Sequence, residues 1–284
     1  MKIIRSPKLM QRYSAHARAK GSRIGAVPTM GYLHDGHMSL VKRSKRENDI
    51  TVVSIFVNPA QFGPKEDLNK YPRDFKRDEK LLRRLGVDVL FYPSAREMYP
   101  QPYYTYVDVG GLTTGLCGAS RPGHFRGVTT IVTKLFNIMK PDIAYVGQKD
   151  AQQAVVITRM AQDLNMDVAV KTLPTVREKD GLAMSSRNKY LSDPQRKDAV
   201  ILYKALVKAG EMVKNGAASP ARIKSVMRAM IKSRPSVTRI DYIEIVDRRG
   251  LIPVKRIEGE ALIALAVRVG KTRLIDNMIV KPKF

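Results

Sequence analysis

Short apolar runs alternate along the chain with longer stretches of helical period. The runs at 24–27, 51–57, 87–92, 143–146 and 168–173 have the length and β-branched content of buried strands. Between them, 38–48 and 73–86 read as amphipathic helices, the second closing at Gly86. Val128, Ile131, Val132, Leu135, Phe136 and Met139 keep a helical period across 127–140, and Pro141 stops it. A further helix is predicted over 151–165. This order predicts βαβ units, hence an α/β fold with a Rossmann-like, doubly wound, largely parallel sheet.

The pattern changes near 177–195, which is polar, glycine-bearing and linker-like. Beyond it come helical patterns over 194–214 and 219–233, split by the breaker "NGAASP", then strand-like runs at 239–247, 261–269 and 272–280. These predict a second, smaller α+β domain at the C-terminal end. The expected division is 1–176 and 177–284.

Composition narrows the class. The chain has 284 residues with 44% hydrophobic content, enough for a sizeable core. No apolar run approaches the ~18–20 residues of a membrane helix, and the N-terminal stretch lacks a secretory h-region. Cys117 is the single cysteine, which excludes an internal disulfide and a multi-cysteine zinc site. It reads as a small core residue or a loop thiol. A cytoplasmic location without membrane association is expected. The 51 Lys+Arg against 26 Asp+Glu give a net charge of +25, a field that favours anionic ligands. The basic residues are dispersed and carry no interleaved aromatics, so charge alone does not select nucleic acid.

Four polar stretches carry candidate chemistry. In "VPTMGYLHDGHMSL" (27–40), His34 and His37 stand where a strand runs into a helix. A helix start there offers free N–H groups and a partial positive charge, suited to phosphate. A zinc site would need a third ligand, and only His16 and His124 remain, far off in sequence. "FVNPAQF" (56–62) puts Asn58 and Gln61 at a strand end, with amides for hydroxyl or carboxylate groups or simply for turn geometry. "DIAYVGQKDAQQ" (142–153) repeats the arrangement: Lys149 can reach a polyphosphate, Asp150 a ribose or the helix cap, and one of Gln152 and Gln153 can face a cleft. "LAMSSRNKYLS" (182–192) supplies hydroxyls and a guanidinium in a linker.

H-x-G-H after the first strand with a downstream "MSSRN" resembles the HIGH and KMSKS pair of the adenylate-forming nucleotidylyltransferases. "PTMGYLHDGH", "FVNPAQF", "YPRD", "RPGHFRGV", "GQKDAQQ" and "PTVREKDGLAMSSRN", in that order, closely resemble the pantoate–β-alanine ligase family across nearly the whole chain. The resemblance implies ATP-dependent joining of pantoate to β-alanine through a pantoyl adenylate, releasing AMP and pyrophosphate. It implies a phosphate grip of His34, His37, Lys149, Ser185, Ser186 and Arg187, with Gly147, Asp150, Val176 and Met184 on the adenosine side. Gln61 and Gln153 would hold pantoate beside Pro28 and Met30, the latter also meeting ATP. Residues 1–176 would bind ATP and pantoate, and 177–284 would close over the site. Mg²⁺ would ride mainly on phosphate oxygens, with Asp78 the candidate protein ligand; Arg77 stands where the family sometimes has an acid. A homodimer is implied, with a strand at 103–109 placed near its interface. Two other readings compete: a nucleotidylyltransferase for a different acceptor, and a nucleic-acid-binding module driven by the basic charge.

Overall fold

The computed structural model describes residues 1–64 and 66–282. In chain order the elements are β1 (Lys2–Ile4), α1 (Pro7–Ala19), β2 (Ile24–Thr29), α2 (Asp35–Glu47), β3 (Ile50–Ile55), α3 (Phe75–Arg84), β4 (Val89–Phe91) and α4 (Ala95–Met98). There follow α5 (Leu116–Ser120), α6 (His124–Met139), β5 (Ile143–Gly147), α7 (Ala151–Asp163) and β6 (Ala169–Leu173). The last elements are α8 (Asp193–Ala199), α9 (Ile201–Lys214), α10 (Pro220–Lys232), β7 (Val237–Asp247), β8 (Ala261–Val269) and β9 (Thr272–Val280).

Two compact units result. The first holds Met1–Gly110, Arg121–Gln148 and Gln153–Pro174; the second holds Gly111–Ser120, Lys149–Gln152 and the chain from Thr175 onward. Two short segments, 111–120 and 149–152, therefore belong to the second unit although sequence order places them among the first 176 residues.

In the first unit all six strands are parallel, in the order β1-β4-β3-β2-β5-β6. The chain works outward from β2 to β3 and β4 on one side and to β5 and β6 on the other, which is the doubly wound topology. Val27, Val53, Leu90, Ile143 and Tyr145 pack with Leu40 and Val41 of α2 and Leu82 of α3 in one core cluster. The β2–β5 ladder covers Gly25↔Ile143 and Ala26↔Ala144, and the strands run on to Thr29 and Gly147 beyond it. Pro28 lies past that ladder, so its missing N–H deprives β5 of no partner. Ligands of open α/β sheets bind at such a point, outside the strand C-termini where the winding direction reverses.

The second unit is an antiparallel sheet, β7-β8-β9, covered by α9 and α10. Leu206, Ala209, Val213, Ile223, Met227 and Ile231 of the helices share one buried cluster with Ile243, Ile263, Leu265 and Val267 of the sheet.

Three sequence readings change. The helix expected over 194–214 is interrupted at Val200, whose N–H reaches the Asp198 carbonyl and breaks the regular ladder between α8 and α9. No strand forms at 103–109: the Val107 N–H donates to Thr130 Oγ1 (3.0 Å) and its carbonyl accepts from Thr129 Oγ1 (2.6 Å), so α6 side chains take the bonds a ladder would use. The edge strand β1 was not foreseen, being too short to show a period.

Gly127 illustrates how tightly the site is backed. A Cβ there would collide with the Ala60 carbonyl and the Gln61 nitrogen, which are backbone atoms and cannot swing away. Gly→Ala inside a helix ordinarily stabilises by about 1 kcal/mol. Here the overlap reverses the sign: Gly127→Ala should lose roughly 1–3 kcal/mol, measured by denaturant unfolding, and a variant as stable as the parent would refute this packing.

Candidate active site

The turn after β2 is built on glycine freedom and one buried carboxylate. Gly31 and Tyr32 take positive φ of 83° and 50°, which reverses the chain ahead of α2. Asp78, on α3, holds this reversal: Oδ2 accepts from the Tyr32 N–H (2.6 Å) and Oδ1 from the Leu33 N–H (2.8 Å). Its side chain is 1% exposed, with Arg77 Nη1 at 3.4 Å from Oδ1. Burial raises the Asp78 carboxyl above its usual value, by more than the two amides lower it. Both oxygens thus accept main-chain N–H groups of the turn. Among the described residues no group of three His, Cys, Asp or Glu side chains is placed to hold a metal.

The two histidines form a reciprocal cap on α2. His34 is the N-cap, and its Nδ1 accepts from the Gly36 N–H (3.2 Å); His37 Nδ1 accepts from the His34 N–H (3.3 Å). An Nδ1 that accepts carries no proton, so each neutral ring keeps its proton on Nε2. The rings lie together, centroids 4.0 Å apart. Helix initiation therefore determines which nitrogen of each ring donates.

The amides after β3 are set by a similar chain of obligate partners. The Ala60 N–H donates to Asn58 Oδ1 (3.3 Å) and Asn58 Nδ2 donates to the Gly127 carbonyl (3.0 Å), which fixes the amide's direction. Tyr99 Oη then donates to Asn58 Oδ1 (2.8 Å), and Asn58 Nδ2 donates to Gln61 Oε1 (3.2 Å). Burial pushes the Tyr99 hydroxyl well above its usual value, so it stays a donor. Gln61 is left presenting its NH₂, whose Nε2 lies 2.8 Å from Met30 Sδ. Asn58 is 1% exposed, which makes it a support for Gln61 and decides between its two sequence readings. Arg121 and His124 clasp the same turn. His124 Nδ1 lies 2.8 Å from the Gln61 carbonyl, and Arg121 pairs with both Glu66 oxygens at 2.7 and 2.6 Å. Nothing in the sequence singled out Tyr99 or Glu66 for this work, whereas Arg121 and His124 lie in the family-like stretch "RPGHFRGV".

The expected residues divide between the units. Pro28, Met30, His34, His37, Gln61, Gly147 and Gln153 belong to the first; Lys149, Asp150, Val176, Met184, Ser185, Ser186 and Arg187 belong to the second. The structure directly joins Met30 with Gln61 and His34 with His37. Lys149 Nζ sits 3.4 Å from Asp150 Oδ1 in the helical turn after β5. Gln152 is buried and spends its amide on the loop before α5: Nε2 donates to the Leu112 and Gly115 carbonyls and Oε1 accepts from the Cys117 N–H, all at 2.9 Å. That leaves Gln153 as the glutamine of this pair open to a ligand role.

The segment read as a mobile linker is a tied hairpin. Met184 N–H donates to the Val176 carbonyl (3.0 Å) and Glu178 N–H to the Leu182 carbonyl (2.8 Å). Two of its carboxylates are neutralised from α8: Arg196 pairs with Glu178 (2.6 Å) and Asp180 (2.7 Å), and Asn188 donates to Glu178 (2.7 Å). Ser185 caps the 3-10 turn Ser186–Tyr190, accepting from the Arg187 N–H at 3.3 Å.

A neutral imidazole pair at a helix start, an oriented amide donor and a serine-arginine turn are donors for anionic oxygens. Comparison with known proteins gives the family. The family model described as pantoate-beta-alanine ligase matches residues 2–279. Pantothenate synthetase from Fervidobacterium nodosum is 57% identical over 280 residues, 99% of either chain. The crystal structure of pantothenate synthetase from Thermus thermophilus covers 98% of this chain and 99% of its own at 44% identity and a TM-score of 0.92. That of the Francisella tularensis ligase, complexed with beta-gamma ATP and beta-alanine, covers 98% of this chain and 97% of its own at 34% identity and a TM-score of 0.82. Matched over its length in sequence and in fold, this chain belongs to the pantoate–β-alanine ligase family.

Proposed function

We propose that the chain condenses pantoate with β-alanine at the expense of ATP, through a pantoyl adenylate. A carboxylate resists amine attack because oxide would have to leave. In the first step a pantoate carboxylate oxygen bonds to the α-phosphorus of ATP and the bond to the bridging oxygen breaks, releasing pyrophosphate. In the second the neutral amine of β-alanine bonds to the adenylate carbonyl, AMP departs and the amine proton is lost. Such a reaction needs charge stabilisation and alignment more than a covalent nucleophile.

The observation that carries this reading is the reciprocal histidine cap, which engages both Nδ1 atoms and leaves the ring protons on Nε2 at the start of a helix. His34 and His37 would meet the ATP phosphates, joined by Lys149, Ser185, Ser186 and Arg187. Met30, Gly147, Asp150, Val176 and Met184 would accommodate the nucleotide, with Asp150 at the ribose. Gln61 and Gln153 would hold pantoate beside Pro28 and Met30, Gln61 as a donor to an acceptor oxygen. Mg²⁺ would arrive on the nucleotide as MgATP, held mainly by phosphate oxygens with Asp78 the candidate protein ligand, in keeping with its preference for substrate phosphates over an all-protein cage. The same reading carries a homodimer and a cytoplasmic location; no helix among the described residues is long and apolar enough to cross a membrane.

The primary test is AMP release with ATP, pantoate and β-alanine, each omitted in turn; turnover without pantoate, or with another acceptor in its place, would refute the reading. His34→Ala and His37→Ala should each slow pantoate-dependent pyrophosphate release by on the order of 10²–10³-fold, the usual loss for one transition-state donor. Unchanged release in both would remove the phosphate role. Gln61→Glu keeps an acceptor toward Asn58 and turns a negative oxygen toward pantoate. The KM for pantoate should rise at least about tenfold while that for ATP stays within about twofold. Equal rises for both substrates would count against a pantoate contact.

A further inference from the structure

We propose that Asp276 and Asn277, neighbours on β9, are positioning residues for ATP, together holding the Lys149 backbone and the hairpin that leads to Ser185–Arg187. The inference rests on the assignment of Lys149 and that hairpin to the nucleotide, and adds what sets their geometry.

Asn277 Nδ2 donates to the Lys149 carbonyl at 2.9 Å. Asp276 takes both ends of the Arg177 guanidinium, Oδ2 from Nη1 at 2.6 Å and Oδ1 from Nη2 at 3.0 Å. Oδ1 also accepts the Asn277 backbone N–H at 2.8 Å, so the carboxylate is tied to the main chain of its neighbour. Arg177 opens the hairpin: its Nη1 donates to the Gly181 carbonyl (3.0 Å), its guanidinium lies 4.4 Å from the Tyr203 ring centroid, and it bridges to Ala183, next to Met184. The 3-10 turn carrying Ser186 and Arg187 also packs on β9. One strand therefore touches both segments that bear expected phosphate ligands.

The physical case is rigidity. Asp276 and Asn277 are buried, and they pair across the sheet with Leu265 and Ala264 in the regular part of the β8–β9 ladder. Shifting the hairpin would leave a buried carboxylate facing no cation, a strongly unfavourable state. Ligands held this way are prepaid in orientation, which tightens ATP without adding a contact to it. Pantoate and its expected amides lie on other elements and are indifferent to the change.

The test varies each substrate in turn in the AMP-release assay, alongside thermal unfolding. Asn277→Ala should raise the KM for ATP roughly five- to tenfold, as one buried hydrogen bond predicts, with the pantoate KM within about twofold. Asp276→Asn should raise it further, and if that variant fails to fold, Asn277→Ala decides alone. An unchanged ATP KM in folded Asn277→Ala, or equal rises for all substrates, overturns the proposal. Lys149→Ala separates the two levels. Loss of ATP use there with none in Asn277→Ala sinks only the β9 role, whereas normal ATP use in Lys149→Ala sinks the assignment beneath it.

Discussion

A helix start leaves backbone N–H groups without intrahelical carbonyls, and at α2 two histidine rings supply the acceptors for the His34 and Gly36 N–H groups. That constraint decides more than helix stability. Because each Nδ1 is engaged by main chain, the ring proton is driven to Nε2, and the pair becomes a donor without needing to be charged. The turn that delivers it is held from α3 by Asp78, so a distant helix sets where the donors point.

The same logic recurs at the other polar groups. Asn58 is locked between a backbone donor and a backbone carbonyl, and only one orientation of Gln61 satisfies it. Gln152 is consumed by three bonds to one loop, which removes it from the reach of any substrate. In each case the buried group with fixed partners orients the more open one, because an unmatched buried donor or acceptor costs more than any alternative rotamer returns. The glycines act on the opposite side of the balance: at Gly127 the missing Cβ is what allows α6 to approach the Ala60–Gln61 backbone.

The basic balance of the chain suits this chemistry. ATP, pantoate and pyrophosphate are all anions, and a net charge of +25 raises their local concentration at long range. Contact chemistry is a separate matter, assigned to neutral imidazoles, amides and hydroxyls with one Lys and one Arg. Elsewhere cations are absorbed by partners: Arg43, Lys171 and the Tyr145 hydroxyl all converge on Glu47, holding its carboxyl down at about 2.

Much of this molecule is legible in one dimension. Strands 24–29, 50–55, 89–91 and 143–147 fall within the apolar runs or overlap them, because a buried parallel strand needs continuous apolar side chains; the edge strand 169–173 overlaps its run but stays partly exposed. The stretch from Pro28 to His37 announces a strand-to-turn-to-helix site through glycine and capping chemistry, which is local. What sequence alone could not supply is partnership across distance. Asp78 reads as a helix carboxylate, and only its placement under Tyr32 and Leu33 makes it an anchor. Residues 103–109 alternate like a strand, yet the main-chain bonds of Val107 at their centre go to Thr129 and Thr130. The linker-like composition of 177–195 conceals two carboxylates that Arg196 neutralises once folded. Asp276 and Asn277 sit in an ordinary strand pattern, with nothing nearby to connect them to Lys149 or Arg177. Periodicity and caps are properties of neighbouring residues and survive in the sequence. The partner of a buried polar group is chosen by packing, and only the tertiary structure decides it.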